Sequence, residues 1–186
     1  MDRKTFLWNL VAASAVLPCC ASSALPKSGK CEDPKYKSDA TAVREFLSTF
    51  LGKEEDSLSR EDLIKLMEDR GRACCRALDF RQKLIQDSQG DVDRLVELMG
   101  KIVGPENCRR EGQLVTLIYP VGQCVCGWSP KRAPMPDDPY CECSKANNQL
   151  LFATVCGKPV RVEVADSPRR HAGARCRFLI HLPSAS

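Results

Sequence analysis

The chain has 186 residues, 28 basic and 24 acidic side chains, a net charge of +4, 43% hydrophobic residues and only 6% aromatic ones. That length and balance suit one folded domain with a real core, and the mixing of charge along the chain leaves no concentrated basic face, so nucleic-acid binding is not expected. Twelve cysteines, well above ordinary usage, put sulfur chemistry into any account of function.

Residues 1–25 begin with charge, continue through the apolar run from Leu10 to Leu17, and close on Ser22, Ser23 and Ala24. This is the layout of a secretory signal. The run is shorter than the about 20 apolar residues that cross a bilayer. Within it, Arg3-Lys4-Thr5-Phe6-Leu7 resembles the twin-arginine export signal, with Lys4 where that signal has its second arginine. The resemblance implies a passenger that folds before crossing. The expectation is an exported, periplasmic protein that meets the membrane only through its export signal. A lipid anchor on Cys19 or Cys20 is the alternative, and Pro18 stands against it.

Residues 26–38 carry Pro, Gly and charge without periodicity and read as a linker. Residues 39–183 read as a single cysteine-rich α+β domain. Val43, Phe46, Leu47, Phe50 and Leu51 form an amphipathic helical stripe stopped by Gly52. Ser59-Arg60-Glu61-Asp62 opens a second helix with a capping-box-like start, running through Leu66, Met67, Cys74 and Leu78 to about Gln86, with Gly71 and Ala73 as a small-residue patch. A third helix spans Asp91 to Met99 and ends at Gly104-Pro105. The period then changes. Residues 113–121 are β-branched and apolar and predict a strand; residues 145–157 predict a helix ending at Gly157. Val160, Val162 and Val164 alternate with Arg161 and Glu163, and Cys176, Phe178, Ile180 and Leu182 alternate with Arg175, Arg177 and His181, which predicts a strand pair joined by residues 167–173. The fold class expected is α+β: an N-terminal helical layer packed on an antiparallel sheet with an inserted helix.

Between that first strand and the inserted helix stand two Cys-x-Cys pairs, Cys124/Cys126 and Cys141/Cys143, separated by fourteen residues that include four prolines. On strands, positions i and i+2 share a face, so each pair presents two sulfurs together. If the two converge, four thiolates suit Zn²⁺ or an iron–sulfur cluster, with Cys74 and Cys108 as reserve ligands. Two other readings stay open. In an oxidising compartment the pairs could be stapled 124 to 143 and 126 to 141, giving an interaction domain. One of the cysteines could also serve a thiol-dependent hydrolase or redox enzyme, although His171 and His181, the two histidines of the chain, read as solvated. Cys156 and Cys176 read as core packing; Asp137-Asp138 and Arg169-Arg170-His171 read as solvated loop charges. No Gly-rich phosphate loop, serine-hydrolase elbow or His-Glu-x-x-His motif occurs.

"RGRACC" at 70–75, "CVCG" at 124–127, "YCECSKA" at 140–146, "GKPVRVEV" at 157–164 and "CRFLIHLP" at 176–183 together resemble a family of uncharacterised cysteine-containing bacterial proteins. That family is distantly similar to L-2-amino-thiazoline-4-carboxylate hydrolase-like proteins and to 4-vinyl reductase type small-molecule-binding domains. The resemblance covers about Leu63 to Pro183. It implies an α+β fold, a cysteine site and a small-molecule ligand, and it supplies no particular reaction.

Overall fold

The computed structural model describes residues 49, 52–53, 56–124, 126, 130 and 132–184. All of these belong to the unit formed by residues 35–186. The export signal, the linker with Cys31, and the helix expected over Val43–Leu51 lie outside the described residues.

Helix α1 spans Arg60–Ala77. Its start follows from Ser59, whose Oγ accepts from the Asp62 backbone N–H at 3.1 Å and donates to the Asp62 carboxylate at 2.8 Å. Leu63, Met67, Gly71 and Cys75 recur every four residues and form its buried stripe. The single helix expected to run to Gln86 is broken at Leu78, which is extended (φ −86°, ψ 114°). Leu78 closes α1 through its N–H to the Cys74 carbonyl. Its own carbonyl then takes the N–H groups of Arg81 and Gln82 to begin α2, Asp79–Ser88. The bend is stabilised by Gln82 Nε2 donating to the Cys75 carbonyl at 2.8 Å. It also turns Arg81 inward, where its guanidinium reaches Tyr119 Oη at 2.9 Å.

Helix α3, Val92–Val103, starts on Asp91, whose carboxylate accepts from the N–H groups of Asp93 and Arg94. It stops where Gly104 adopts φ 98° before Pro105. A 3₁₀ turn at Pro105–Asn107 leads into β1, Cys108–Glu111, and a two-residue turn with Gly112 at φ 60° returns the chain as β2, Leu114–Tyr119. After a long loop come α4, Cys141–Cys156, then β3, Arg161–Asp166, and β4, Cys176–His181. The sheet is antiparallel throughout its neighbouring pairs, in the order β1-β2-β4-β3. The chain therefore crosses from β2 through α4 to the far edge, and β4 fills the space between. Val115 faces Ile180 and Leu117 faces Phe178 across β2 and β4, with Val162 and Val164 beside them on β3. These six side chains form one core with Leu95 and Met99 of α3 and Leu151, Phe152 and Val155 of α4. The α+β class is thus the observed one, with helices packed on the sheet and α4 inserted into it.

Helix α1 lies against α4, and Gly71 sets how closely. A Cβ at Gly71 would collide with the Cys143 carbonyl oxygen and press on Ala146, and Asn147 Nδ2 donates to the Gly71 carbonyl at 3.3 Å across the same contact. Gly71→Ala is therefore expected to destabilise the fold by about 1–3 kcal/mol through overpacking, although alanine is the better helix former by about 1 kcal/mol. A lowered denaturation midpoint together with slower or faster alkylation at Cys74, one helical turn away, would register the spreading of the two helices.

Candidate functional site

Four cysteines from three places in the chain meet beside this helix contact. Cys74 comes from the last turns of α1, Cys143 from the first turn of α4, and Cys124 and Cys126 from the loop that follows β2. Side-chain hydrogen bonds join Cys74 to Cys143, Cys143 to Cys126, and Cys126 to Cys124. Ser144 Oγ stands 2.6 Å from Cys126 Sγ. The nine cysteines of the described residues are thiols, not disulfides.

Direction along this chain is set by who donates. The Cys143 thiol donates to Cys74, and this bond, aided by the positive charge and hydrogen bond of Arg70, outweighs burial and holds Cys74 at about 6, well below the ordinary 9.0. Cys143 gains as a thiolate from the Cys126 thiol, yet its bond to Cys74 and its burial push it up to about 11. Cys126 likewise gains from Cys124, and its bond to Cys143 with burial carries it to about 12. The row therefore stabilises one negative charge, at Cys74, and keeps protons on Cys143 and Cys126.

The second Cys-x-Cys pair stands on a helix, not on the strand expected from its spacing. Cys141 and Cys143 sit in the first turn of α4, where successive residues turn by about 100° and i, i+2 side chains diverge. Cys143 points to the sulfur row, while Cys141 Sγ lies 2.9 Å from Ser167 Oγ at the end of β3, with its thiol pushed up by burial. Two facing Cys-x-Cys strands do not form, so Cys126 meets Cys143 and not Cys141. Of the reserve residues, Cys74 joins the row. Cys108 begins β1, 4% exposed among the core side chains, and burial raises its thiol to about 12. Among the described residues, no group of three or more Cys, His, Asp or Glu side chains is already arranged around a common point to hold a metal ion. The sulfurs form a row of neighbours, not a closed tetrahedron.

The loop bearing Cys124 and Cys126 is tied down by charges that the sequence suggested were solvated. Asp138 is fully buried and Arg169 is 6% exposed. Asp138 Oδ2 accepts from Arg169 Nε and Nη2 at 3.0 and 2.8 Å and from Arg132 Nη1 at 2.7 Å, while Oδ1 accepts from the Tyr140 N–H at 3.0 Å. Arg169 also donates to the carbonyls of Pro130, Arg132 and Ala133. A long irregular loop laid on the protein has carbonyls that need donors, and the fork of one arginine satisfies several of them at once. Arg170 is held too, through Nη1 to the Val164 carbonyl at 2.7 Å. His171 Nδ1 pairs with Asp166 at 2.8 Å, which lowers the Asp166 pKa, whereas His181 Nε2 lies 3.3 Å from Glu163 without making a hydrogen bond. Cys176 is a core residue on β4, as expected; Cys156, at the end of α4, is half-buried.

The members that sequence reasoning undervalued are Cys74, Arg70 and Ser144 in the row, and Asp138 with Arg169 behind it. The available signal was the Gly71-x-x-Cys74 spacing, which puts the close-contact glycine and the thiol about one turn apart on one helix. Compared with protein-family models, curated proteins and solved structures, the chain matches none of them.

Proposed function

We propose that this is an exported cysteine protein that binds a soft metal ion, zinc or the iron of an iron–sulfur cluster, through Cys74, Cys124, Cys126 and Cys143. The observation that supports the reading is the continuous row of sulfur hydrogen bonds, which gathers four thiols from a helix, a loop and a second helix. Cys141, the remaining member of the two Cys-x-Cys pairs, is the reserve. Thiolates are the donors that such ions prefer. Holding such an ion needs the thiolate forms, so Cys143 and Cys126 would have to give up their protons and affinity would rise with pH. Arg70 and Ser144 would sit beside the loaded thiolates. A small-molecule ligand, if one is bound, has a groove of about 460 Å³ along Ala146, Gln149, Leu150 and Val160 to occupy.

The test is elemental analysis and zinc titration of the reduced chain. About one zinc per chain is expected, with affinity falling in Cys143→Ser and Cys74→Ser by more than the ~10–100-fold that an outer-shell partner costs, and little changed in Cys141→Ser. No metal in the reduced protein, or a loss confined to Cys141→Ser, would overturn the assignment. A thiol-dependent enzyme is the second reading, favoured by the half-buried Cys74 with its thiol held at about 6.

A further inference from the structure

The sulfurs of the row differ in access. Cys143 is 6% exposed and its approach is covered by α1, whereas Cys74 is half-buried at the edge of the same contact. Its neighbour in sequence, Cys75, is fully buried and faces the core. An oxidant arriving from solvent therefore meets Cys74 before it meets Cys143. The two helices that carry them meet closely at Gly71, where Asn147 Nδ2 also donates to the Gly71 carbonyl, one helical turn from Cys74.

We propose that Cys74 and Cys143 form a dithiol–disulfide couple that is oxidised by hydroperoxides, and that closing it removes two of the four thiols from the metal-binding set. In the first step the Cys74 sulfur attacks the terminal peroxide oxygen. The O–O bond breaks, the alkoxide or hydroxide leaves and takes a proton from water, and Cys74 becomes a sulfenic acid. In the second, the Cys143 sulfur attacks the Cys74 sulfur, the S–S bond forms, the S–O bond breaks, and water leaves with the Cys143 proton. The two sulfurs together give up two electrons, and the peroxide is reduced by the same two. A dithiol reductant reverses the couple by thiol–disulfide exchange. Cys126, bonded to Cys143 on its other side, keeps its thiol. Only the release of an ion rests on the metal reading; the disulfide needs no metal.

The experiment treats the reduced, metal-free chain with stoichiometric hydrogen peroxide and maps its bridges by differential alkylation and mass spectrometry. The expected product is a bridge between Cys74 and Cys143. Cys74→Ser should lose peroxide consumption, Cys143→Ser should leave a sulfenic acid at Cys74 that dimedone traps, and Cys156→Ser, at the far end of α4, should behave like the parent. A first-formed bridge from Cys126 to Cys143 or to Cys124, or peroxide consumption unaffected by Cys74→Ser, would sink the couple. The same treatment of zinc-loaded protein, followed with a chromogenic chelator, separates the two ideas. A bridge that forms in a protein that never binds zinc removes the metal reading and leaves the couple standing. Zinc that binds and stays bound, with no bridge formed, removes the couple alone.

Discussion

Replacing Arg169 by alanine is expected to destabilise the protein by about 3–5 kcal/mol, the usual cost of removing one partner from a buried ion pair, and to lower the melting temperature by roughly 6–20 °C for a chain of this size. Asp138 has no exposed surface, and two of the donors on its Oδ2 come from Arg169. Without them the carboxylate keeps Arg132, whose side chain is 28% exposed, and the Tyr140 N–H. The carbonyls of Pro130 and Arg132 lose the Arg169 donor in the same stroke, and that of Ala133 keeps only Arg132 Nη1 at 3.3 Å. Arg169→Lys would restore the charge but not the fork, and should recover only part of the loss. Urea unfolding measures the stability term, and a double-mutant cycle with Asp138→Asn isolates the coupling between the two side chains. Zinc affinity should fall in Arg169→Ala although no sulfur is touched, because the tethered loop carries Cys124 and Cys126. A cost below 1 kcal/mol would mean that the loop does not depend on this clamp.

Local signals and long-range ones were not equally legible. Ser59 and Asp91 declare the starts of α1 and α3 because capping is chemistry between residues two or three apart. The alternation of Val160, Val162 and Val164 declares β3 because one face of the sheet is buried. Strand β1 gives no such signal: three of its four residues are exposed at the sheet edge. The break at Leu78 carries neither proline nor glycine, and what favours it is the inward turn of Arg81 toward Tyr119, a partner distant in sequence. The start of α4 is hidden in the sequence because Tyr140 offers no side-chain cap, and without that start Cys141 and Cys143 read as one face of a strand. Membership of Cys74 in the sulfur row depends on how α1 meets α4, which only the packing at Gly71 decides. Asp138 and Arg169 look like ordinary loop charges until the loop is folded over them.

The reactivity of the reduced, metal-free protein toward iodoacetamide should be dominated at neutral pH by Cys74, with a rate that rises through a midpoint near about 6. The nucleophile is the thiolate, and Cys143 and Cys126, pushed up to about 11 and about 12, stay protonated and slow. Removing the donor in Cys143→Ala should move the Cys74 midpoint most of the way back toward the ordinary 9.0, leaving Arg70 as its remaining support. The same shifts fix the sign of stability against pH. Cys74 has a folded pKa below its unfolded value, so its contribution is present above 9.0 and is lost as pH falls through about 6. Cys108, Cys126 and Cys143 have folded values above 9.0, so theirs is present below 9.0 and is lost as pH rises toward about 11 to 12. The thiols together should therefore raise the urea midpoint between about 6 and 9.0 and lower it beyond. In Cys74→Ser the rising limb should flatten while the falling limb persists. A rising limb unchanged by that substitution would place the low-pH titration on another group and take the negative charge of the row away from Cys74.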